Sequence, residues 1–428
     1  LVDDGHARIV DGWLTADLRL SVKQRHTARR VYERLVAEHG FTGGYSSVQR
    51  WVKRWREEHR REAEGYAELE WAPGCAQVDF GQARAVVAGV ERTVHFLVVS
   101  FPYSNMRYVV ALPGESAECV CHGLTLIFAR AGMVPRVLVF DNATGVGHRN
   151  KDGSVTQTRL FSLFCAHYGF ETRFCNPYSG NEKGSVENAV GFVRRNLMVP
   201  VPSAEGWDAL SAAWLESCDR IAERDHYREN VPIASLFQIE LERMLALPRV
   251  VFDACDWREA KADKTGAVTV DSNRYLAGPR WHSMRLNIGV RALGIELRSP
   301  DGEPIVMFER IWGHDPRTQI DPMSLLAIIA RKPRAWGESP IRGDFPENVR
   351  NLLDRMDGRA RAGLIDDIRR AATVSGFAAA ARAASAIVDV GRHPDGPSID
   401  QMARRGSQDR PAAAGQDLTR YDTYMEER

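Results

Sequence analysis

Three acidic residues carry the chemistry this chain could do. Asp79 lies in Gln77-Val78-Asp79-Phe80-Gly81, and Asp141 directly follows the apolar run Val137-Leu138-Val139-Phe140. Glu187 falls in Asn181-Glu182-Lys183-Gly184-Ser185-Val186-Glu187-Asn188, after the turn-rich Asn176-Pro177-Tyr178-Ser179-Gly180. Three carboxylates converging on one point repel one another unless cations sit between them. Oxygen-only ligation suits Mg²⁺ or Mn²⁺, and two such ions about 3.5–4 Å apart can clamp an in-line phosphoryl displacement. A lone Asp after a hydrophobic strand is usually a turn residue. Three acids on a strand, at a strand end and on a helix are much harder to reach by accident.

The elements that must hold these acids read as a layered α/β sheet. Strands are expected at 75–80, 93–100 and 107–112, bounded by Pro, Gly, Ser and Asn. A helix follows at 117–131, then the short apolar strand 136–140 of the kind buried on both faces. Asp141 thus stands at the carboxyl end of a strand, where α/β sheets bind ligands. After a Gly-rich loop at 145–153, a helix is expected at 158–168 and a strand at 170–175. Val186, Ala189, Val190 and Val193 recur at helical spacing, so Glu187 shares one helix stripe with Lys183 and Arg194. By itself that stripe reads equally as a solvated face with ordinary salt bridges.

Upstream lies a basic helical hairpin. Thr27 suits an N-cap for a helix over 28–39, with Ala28, Val31, Tyr32, Leu35 and Val36 as its apolar stripe. Gly40 to Gly44 breaks it, and a second helix from about Ser46 turns Val48, Trp51, Val52 and Trp55 inward. From Lys23 to Arg61 there are eleven Lys/Arg against four Asp/Glu. This is a helix-turn-helix pattern, whose second helix enters a major groove. Ser46, Ser47, Gln49 and Arg50 would reach base edges, and Lys53 and Arg54 would contact phosphates. The alternative is a basic hairpin that packs on a protein partner.

The remaining composition sets bounds. A chain of 428 residues, 44% hydrophobic and 26% charged, suggests several globular units. No stretch approaches the roughly 20 apolar residues that cross a bilayer, so no membrane partner is expected. Seven cysteines form no Cys-x-x-Cys pair and no zinc-finger spacing, which points to a reducing cytoplasm. His95 in its apolar strand reads as a satisfied core histidine, and the tryptophans as packing residues. The chain opens Leu1-Val2-Asp3-Asp4, which reads as the interior of a longer protein. Beyond the sheet, helices are expected at 207–224 and 233–247. Short strands between 261 and 312 suit a small barrel, more helices follow to 388, and disorder is expected from His393 on.

Gln77–Gly81, Phe140-Asp141-Asn142-Ala143 and 176–188 resemble the D-D-E signatures of retroviral-integrase-like transposases, most closely the IstA class of bacterial insertion-sequence transposase. The hairpin, with His39-Gly40-Phe41-Thr42-Gly43-Gly44-Tyr45, is similar to that class too. The resemblance implies a multidomain α/β protein. Its parts would be a helix-turn-helix region at 1–64, an RNase H-like catalytic domain with a mixed sheet at 66–200 and a helical connector at 201–260. A small β-barrel at 261–315, a helical region at 316–392 and a disordered tail at 393–428 would complete it. It implies Asp79, Asp141 and Glu187 as ligands of two Mg²⁺ or Mn²⁺ ions, and Lys183 and Arg194 along bound DNA. It further implies double-stranded DNA ends and target as partners, an AAA+ ATPase helper, a homo-oligomer on DNA and a place at the bacterial nucleoid. Cleavage by water would be followed by attack of the freed 3′-hydroxyl on target DNA. Asp141 and Glu187 stand 46 positions apart, longer than in the retroviral branch, and the 145–156 loop accounts for the excess. An RNase H-like nuclease or resolvase, or a non-enzymatic helix-turn-helix regulator, are the competing readings.

Overall fold

The computed structural model describes residues 5–18, 25–59, 71–140, 145–150, 152–175, 180–313 and 315–408, with backbone alone at 180–188 and 407–408. It divides into two compact units, 1–70 and 71–428. The first contains α1 (His6–Asp17), α2 (Ala28–His39) and α3 (Tyr45–Glu58). The Thr27 hydroxyl accepts from the Arg30 amide at 3.1 Å and starts α2, and Gly40 ends it in the left-handed region at φ 62°. The stripes of the three helices meet in one core of Val10, Leu14, Val31, Leu35, Phe41, Val48, Val52 and Trp55. Trp51 Nε1 donates to Asp11 at 2.9 Å, a further tie between α3 and α1.

The second unit is built on a mixed sheet. Its main strands are β1 (Cys75–Val87), β2 (Val90–Phe101), β3 (Met106–Leu112), β4 (Val137–Phe140) and β5 (Glu171–Phe174), and the short segment Ser203–Ala204 also pairs with β1. They lie in the order β3-β2-β1-β4-β5, with β1, β2 and β3 antiparallel and β4 and β5 parallel to β1. Parallel strands need crossover helices, which is where α4 (Ala117–Ala131) and α5 (Arg159–Tyr168) enter. They cover one face: Gly123 of α4 meets Leu97, Val110 and Leu112, and Phe161 of α5 meets Phe140 edge-on. α6 (Gly180–Leu197) and α7 (Trp207–Ala222) take the other face, where Trp214 packs edge-on against Phe96. On the edge strand β3, Ser211 Oγ accepts from the Ala111 amide at 3.0 Å and donates to its carbonyl at 3.2 Å, which satisfies groups no neighbouring strand reaches. α8 (Ile233–Leu241) closes against the β2–β3 turn, where the Ser104 amide donates to the buried Glu240 at 2.8 Å.

Seven short strands follow: β6 (Asp256–Lys261), β7 (Ala267–Val270), β8 (Asn273–Leu276), β9 (Arg285–Val290), β10 (Gly294–Arg298), β11 (Pro304–Glu309) and β12 (Thr318–Ile320). They make a four-stranded sheet, β6-β9-β10-β11, and a three-stranded one, β7-β8-β12. Both sheets contribute to one core that includes Val268, Tyr275, Ile288, Leu297 and Phe308. This β module docks on the main sheet's helices through charge and shape. Glu118 of α4, almost wholly buried, lies 3.4 Å from Arg258 and 3.4 Å from Arg310. The Trp312 ring lies where a Cβ on Gly114 would sit, only 2.3 Å from that position.

α9 (Met323–Arg331), α10 (Glu347–Arg355), α11 (Gly358–Ser375) and α12 (Phe377–Asp389) then pack around Trp336, Val349, Ile365, Ile368 and Ala384. Composition suggests a disordered tail from 393, but residues 396–408 form α13 (Gly396–Gln408). The Asp395 carboxylate accepts from the Ser398 amide at 3.0 Å and starts the helix. Ile399 and Ala403, one turn apart, are buried, and that narrow stripe is enough for a helix with a surface to dock on. The rest of the expected tail, 409–428, lies outside the described residues.

Candidate functional site

Asp79 lies within β1, half-buried, between the core residue Val78 and the half-buried Phe80. One carboxylate oxygen accepts from the Phe80 amide at 2.7 Å, which fixes the side chain's rotamer against its own strand. Val78 is paired with Phe140 across the parallel β1–β4 ladder. Phe140 is the last described residue of that strand; Asp141 comes next in sequence and lies outside the described residues. The backbone at Lys183 and Glu187 belongs to α6, while their side chains lie outside the described set. Among the described residues no group of three His, Cys, Asp or Glu side chains clusters as a metal site. Of the three acids only the Asp79 side chain is among the described residues, and its hard carboxylate oxygens suit Mg²⁺ or Mn²⁺.

Arg194 is exposed on α6 and reaches the sheet on the face that Asp79 occupies. Its Nε donates to the Gln82 carbonyl of β1 at 3.2 Å, and its guanidinium lies 5.8 Å from the centroid of the Phe96 ring. Phe96 is wholly buried and sits opposite Gly81 in the β1–β2 ladder. A Cβ on Gly81 would lie 2.2 Å from the Phe96 ring, so the ring fills the space a side chain would take. Neither Phe96 nor Gln82 carries a sequence signal. Only the strand register brings them to Asp79's neighbourhood.

On the opposite face, His95 Nδ1 donates to Glu115 at 2.8 Å, and the Gln82 amide lies 3.4 Å from the same carboxylate. The histidine expected to be satisfied within the fold is satisfied. Burial pushes the Cys119 thiol up to about 11 and Cys121 well above its ordinary value, so neither is a thiolate. His122, held below its ordinary value by burial, lies 3.9 Å from Asp208. Between α4 and the β module is a cavity of about 480 Å³, lined by Ser116, Glu118, Gly145, Arg258, Arg310 and Trp312.

In the first unit, Ser46, Ser47, Gln49, Arg50, Lys53 and Arg54 are all exposed on α3. Arg50 Nε donates to the Ser46 carbonyl at 3.3 Å, and Arg54 lies 4.2 Å over the Trp51 ring and 3.6 Å from Glu58. The face therefore presents polar groups and cations, with Arg54 partly engaged within its own helix. Trp55 is core and stacks on His59 at 4.1 Å.

No protein-family model matches the chain. It is 27% identical over 356 residues to the transposase for insertion sequences IS1326/IS1353 of Pseudomonas aeruginosa, which covers 79% of this chain and 69% of that protein. It is 26% identical over 364 residues to a transposase of Aminobacter aminovorans, covering 82% and 70%. Among solved structures, the catalytic core domain of BIV integrase aligns with 40% of this chain and 98% of its own at 15% identity and a TM-score of 0.29. That superposition is too loose to bear on the fold, which rests on the strand order itself. No helix among the described residues is long and apolar enough to cross a membrane. Over about four-fifths of its length, then, the chain is similar to transposases of bacterial insertion sequences.

Proposed function

We propose that the chain is a D-D-E transposase of the IstA class, a metal-dependent polynucleotidyl transferase that cuts and joins DNA at the ends of an insertion element. The observation that carries this is the register of β1 and β4. Val78 and Phe140 are partners in a parallel ladder, and an aspartate follows each in sequence. Parallel strands keep their side chains in step, so the pairing supports a reading in which Asp79 and Asp141 share one site. Glu187, on the helix whose later turns pack over β1, is the third acid in this reading. The similarity to named transposases supplies the reaction class.

Asp79, Asp141 and Glu187 would hold two Mg²⁺ or Mn²⁺ ions, which supply charge neutralisation and a more acidic bound water. The carboxylates fix where the phosphodiester lies and in which direction it is attacked. In the first step a water oxygen gives up a proton and bonds to phosphorus, the P–O3′ bond breaks, and the leaving 3′ oxygen takes up a proton. In the second, that 3′-hydroxyl gives up its proton and bonds to a target phosphorus, the target's own P–O3′ bond breaks, and the released 3′ oxygen takes up a proton, with no covalent enzyme intermediate. Ser46, Ser47, Gln49, Arg50, Lys53 and Arg54 on α3 bind the element ends, and Lys183 and Arg194 lie along the backbone near the acids. An AAA+ ATPase helper, an oligomer that bridges two ends and a place at the bacterial nucleoid belong to the same reading.

The test is strand transfer by purified protein with Mg²⁺, using a pre-cut element-end duplex and a supercoiled plasmid target. Joined products that disappear in Glu187→Gln, with end binding retained, are expected. Hydrolysis without joining would leave a nuclease. Activity indifferent to Glu187→Gln would leave a DNA-binding regulator.

A further inference from the structure

Asp79, Gly81 and Phe96 on one face of β1 and β2, with Arg194 of α6 over them, form a device that the three acids do not explain. Asp79 and Gly81 are two apart on β1, so they share a face about 7 Å apart. Gly81 has no side chain, and the Phe96 ring fills the slot. The ring is wedged from behind by Trp214, edge-on at 6.4 Å. Arg194 approaches from α6 above it, with its Nε tied to the Gln82 carbonyl at 3.2 Å and its guanidinium 5.8 Å from the ring centroid. Among the described residues, its two terminal nitrogens have no protein acceptor.

We propose that Phe96 is a positioning residue that, seated in the slot left by Gly81, holds the Arg194 guanidinium ready for a DNA phosphate beside Asp79. The inference rests on the transposase reading for the identity of the ligand as DNA. An exposed arginine ordinarily loses side-chain entropy when it binds, and an ion pair at the surface is weak for that reason. Here one nitrogen is fixed on a backbone carbonyl and the flat cation is supported by an aromatic ring. The remaining fork, Nη1 and Nη2, matches the geometry of two phosphate oxygens. The preceding stretch of α6 also leads back to Glu187, seven residues earlier on the same stripe. Phe96 thus acts through Arg194, and Gly81 is glycine because the ring must reach that position.

The plain alternative is that Phe96 only fills the core. The two differ in the salt dependence of DNA binding, which counts phosphate contacts and is insensitive to packing. Fluorescence anisotropy with a 40-base-pair duplex of random sequence, between 50 and 500 mM NaCl, gives that slope. Arg194→Ala is expected to lower it by about 0.9, a loss of affinity of about eightfold at 50 mM that closes near 500 mM. Phe96→Leu is expected to lower it by a comparable amount, and the double variant by no more than Arg194→Ala alone. A Phe96→Leu protein that melts earlier yet keeps the full slope overturns the proposal, as does a double variant whose losses add. Should Phe96→Leu not fold, Gly81→Ala, which drives the ring from its slot, must give the same loss of slope or the proposal fails. Strand transfer is scored separately, so a protein that shows the coupled slope loss without joining DNA sinks the transposase reading and leaves the device standing.

Discussion

Val78 of β1 and Phe140 of β4 are direct partners in a parallel ladder, with Phe140 stacked at 5.7 Å on Phe174 of the next strand. The pairing pins the two chain positions that precede the aspartates to one level of the sheet, within a buried apolar layer. Asp79→Asn is the sharpest probe of what lies above that layer. Asparagine keeps an oxygen for the Phe80 amide, now at 2.7 Å, so the fold should be unchanged. Cleavage and joining should fall by on the order of 10²–10³-fold or more, with DNA affinity within about twofold of wild type. Retained joining would remove Asp79 from the reaction.

Glu118 ties α4 to the β module. Arg310 is only 6% exposed and meets Glu118 at 3.4 Å and Asp271 at 2.7 Å. Glu118→Gln removes one of two anions from a buried guanidinium, which costs more than losing a surface pair. A destabilisation on the order of 3 kcal/mol is expected from the urea midpoint at constant slope. A change under about 0.5 kcal/mol, the usual scale of a surface substitution, would mean Asp271 alone compensates Arg310.

Some of this architecture is written in short-range pattern and some is not. The strand ending at Phe140 shows as an unbroken apolar run because both its faces are buried, and α2 shows because Thr27 and the stripe through Leu35 agree. α1 does not show, since Gly12 interrupts it and Asp17, a charged residue, is buried at its end, where it accepts from the His26 amide at 2.8 Å and from the His26 ring at 2.8 Å. α13 does not show, because Ile399 and Ala403 are too few to stand out from a polar, Pro- and Gly-containing stretch. By type and spacing the three acids stand out as candidates. The Gly81–Phe96 contact could not, because it depends on the register of β1 and β2, which no local pattern states.

Burial of Glu240 makes stability depend on pH. Burial raises its carboxyl to about 7, partly offset by hydrogen bonds from Ser104 and the Gly74 amide. The folded state therefore holds the proton more tightly than the unfolded chain, where an ordinary glutamate titrates near 4.3. The stability this group allows is present in full below about pH 4 and is lost as the pH rises through about 7. Glu240→Gln keeps an oxygen for the Ser104 amide and cannot ionise. It should be more stable than wild type above pH 7, by on the order of 3 kcal/mol, with the gap closing toward pH 4. Thermal melts at pH 5 and pH 8 check this, and parallel curves for the two proteins would refute it.

Arg50 and Lys53 are exposed and three apart, so they point the same way from α3. Neither is paired with an acid among the described residues, whereas Arg54 lies on Trp51 and near Glu58. The core beneath them is Val48, Val52 and Trp55, so truncating the two cations leaves the three-helix packing alone. Arg50→Ala with Lys53→Ala should lower the salt slope of duplex binding by about 1.8, while Arg54→Ala should lower it by less than 0.9 or so. An unaltered slope in the double variant would show that α3 turns this face to a protein, since a phosphate contact cannot be lost without its counterion term.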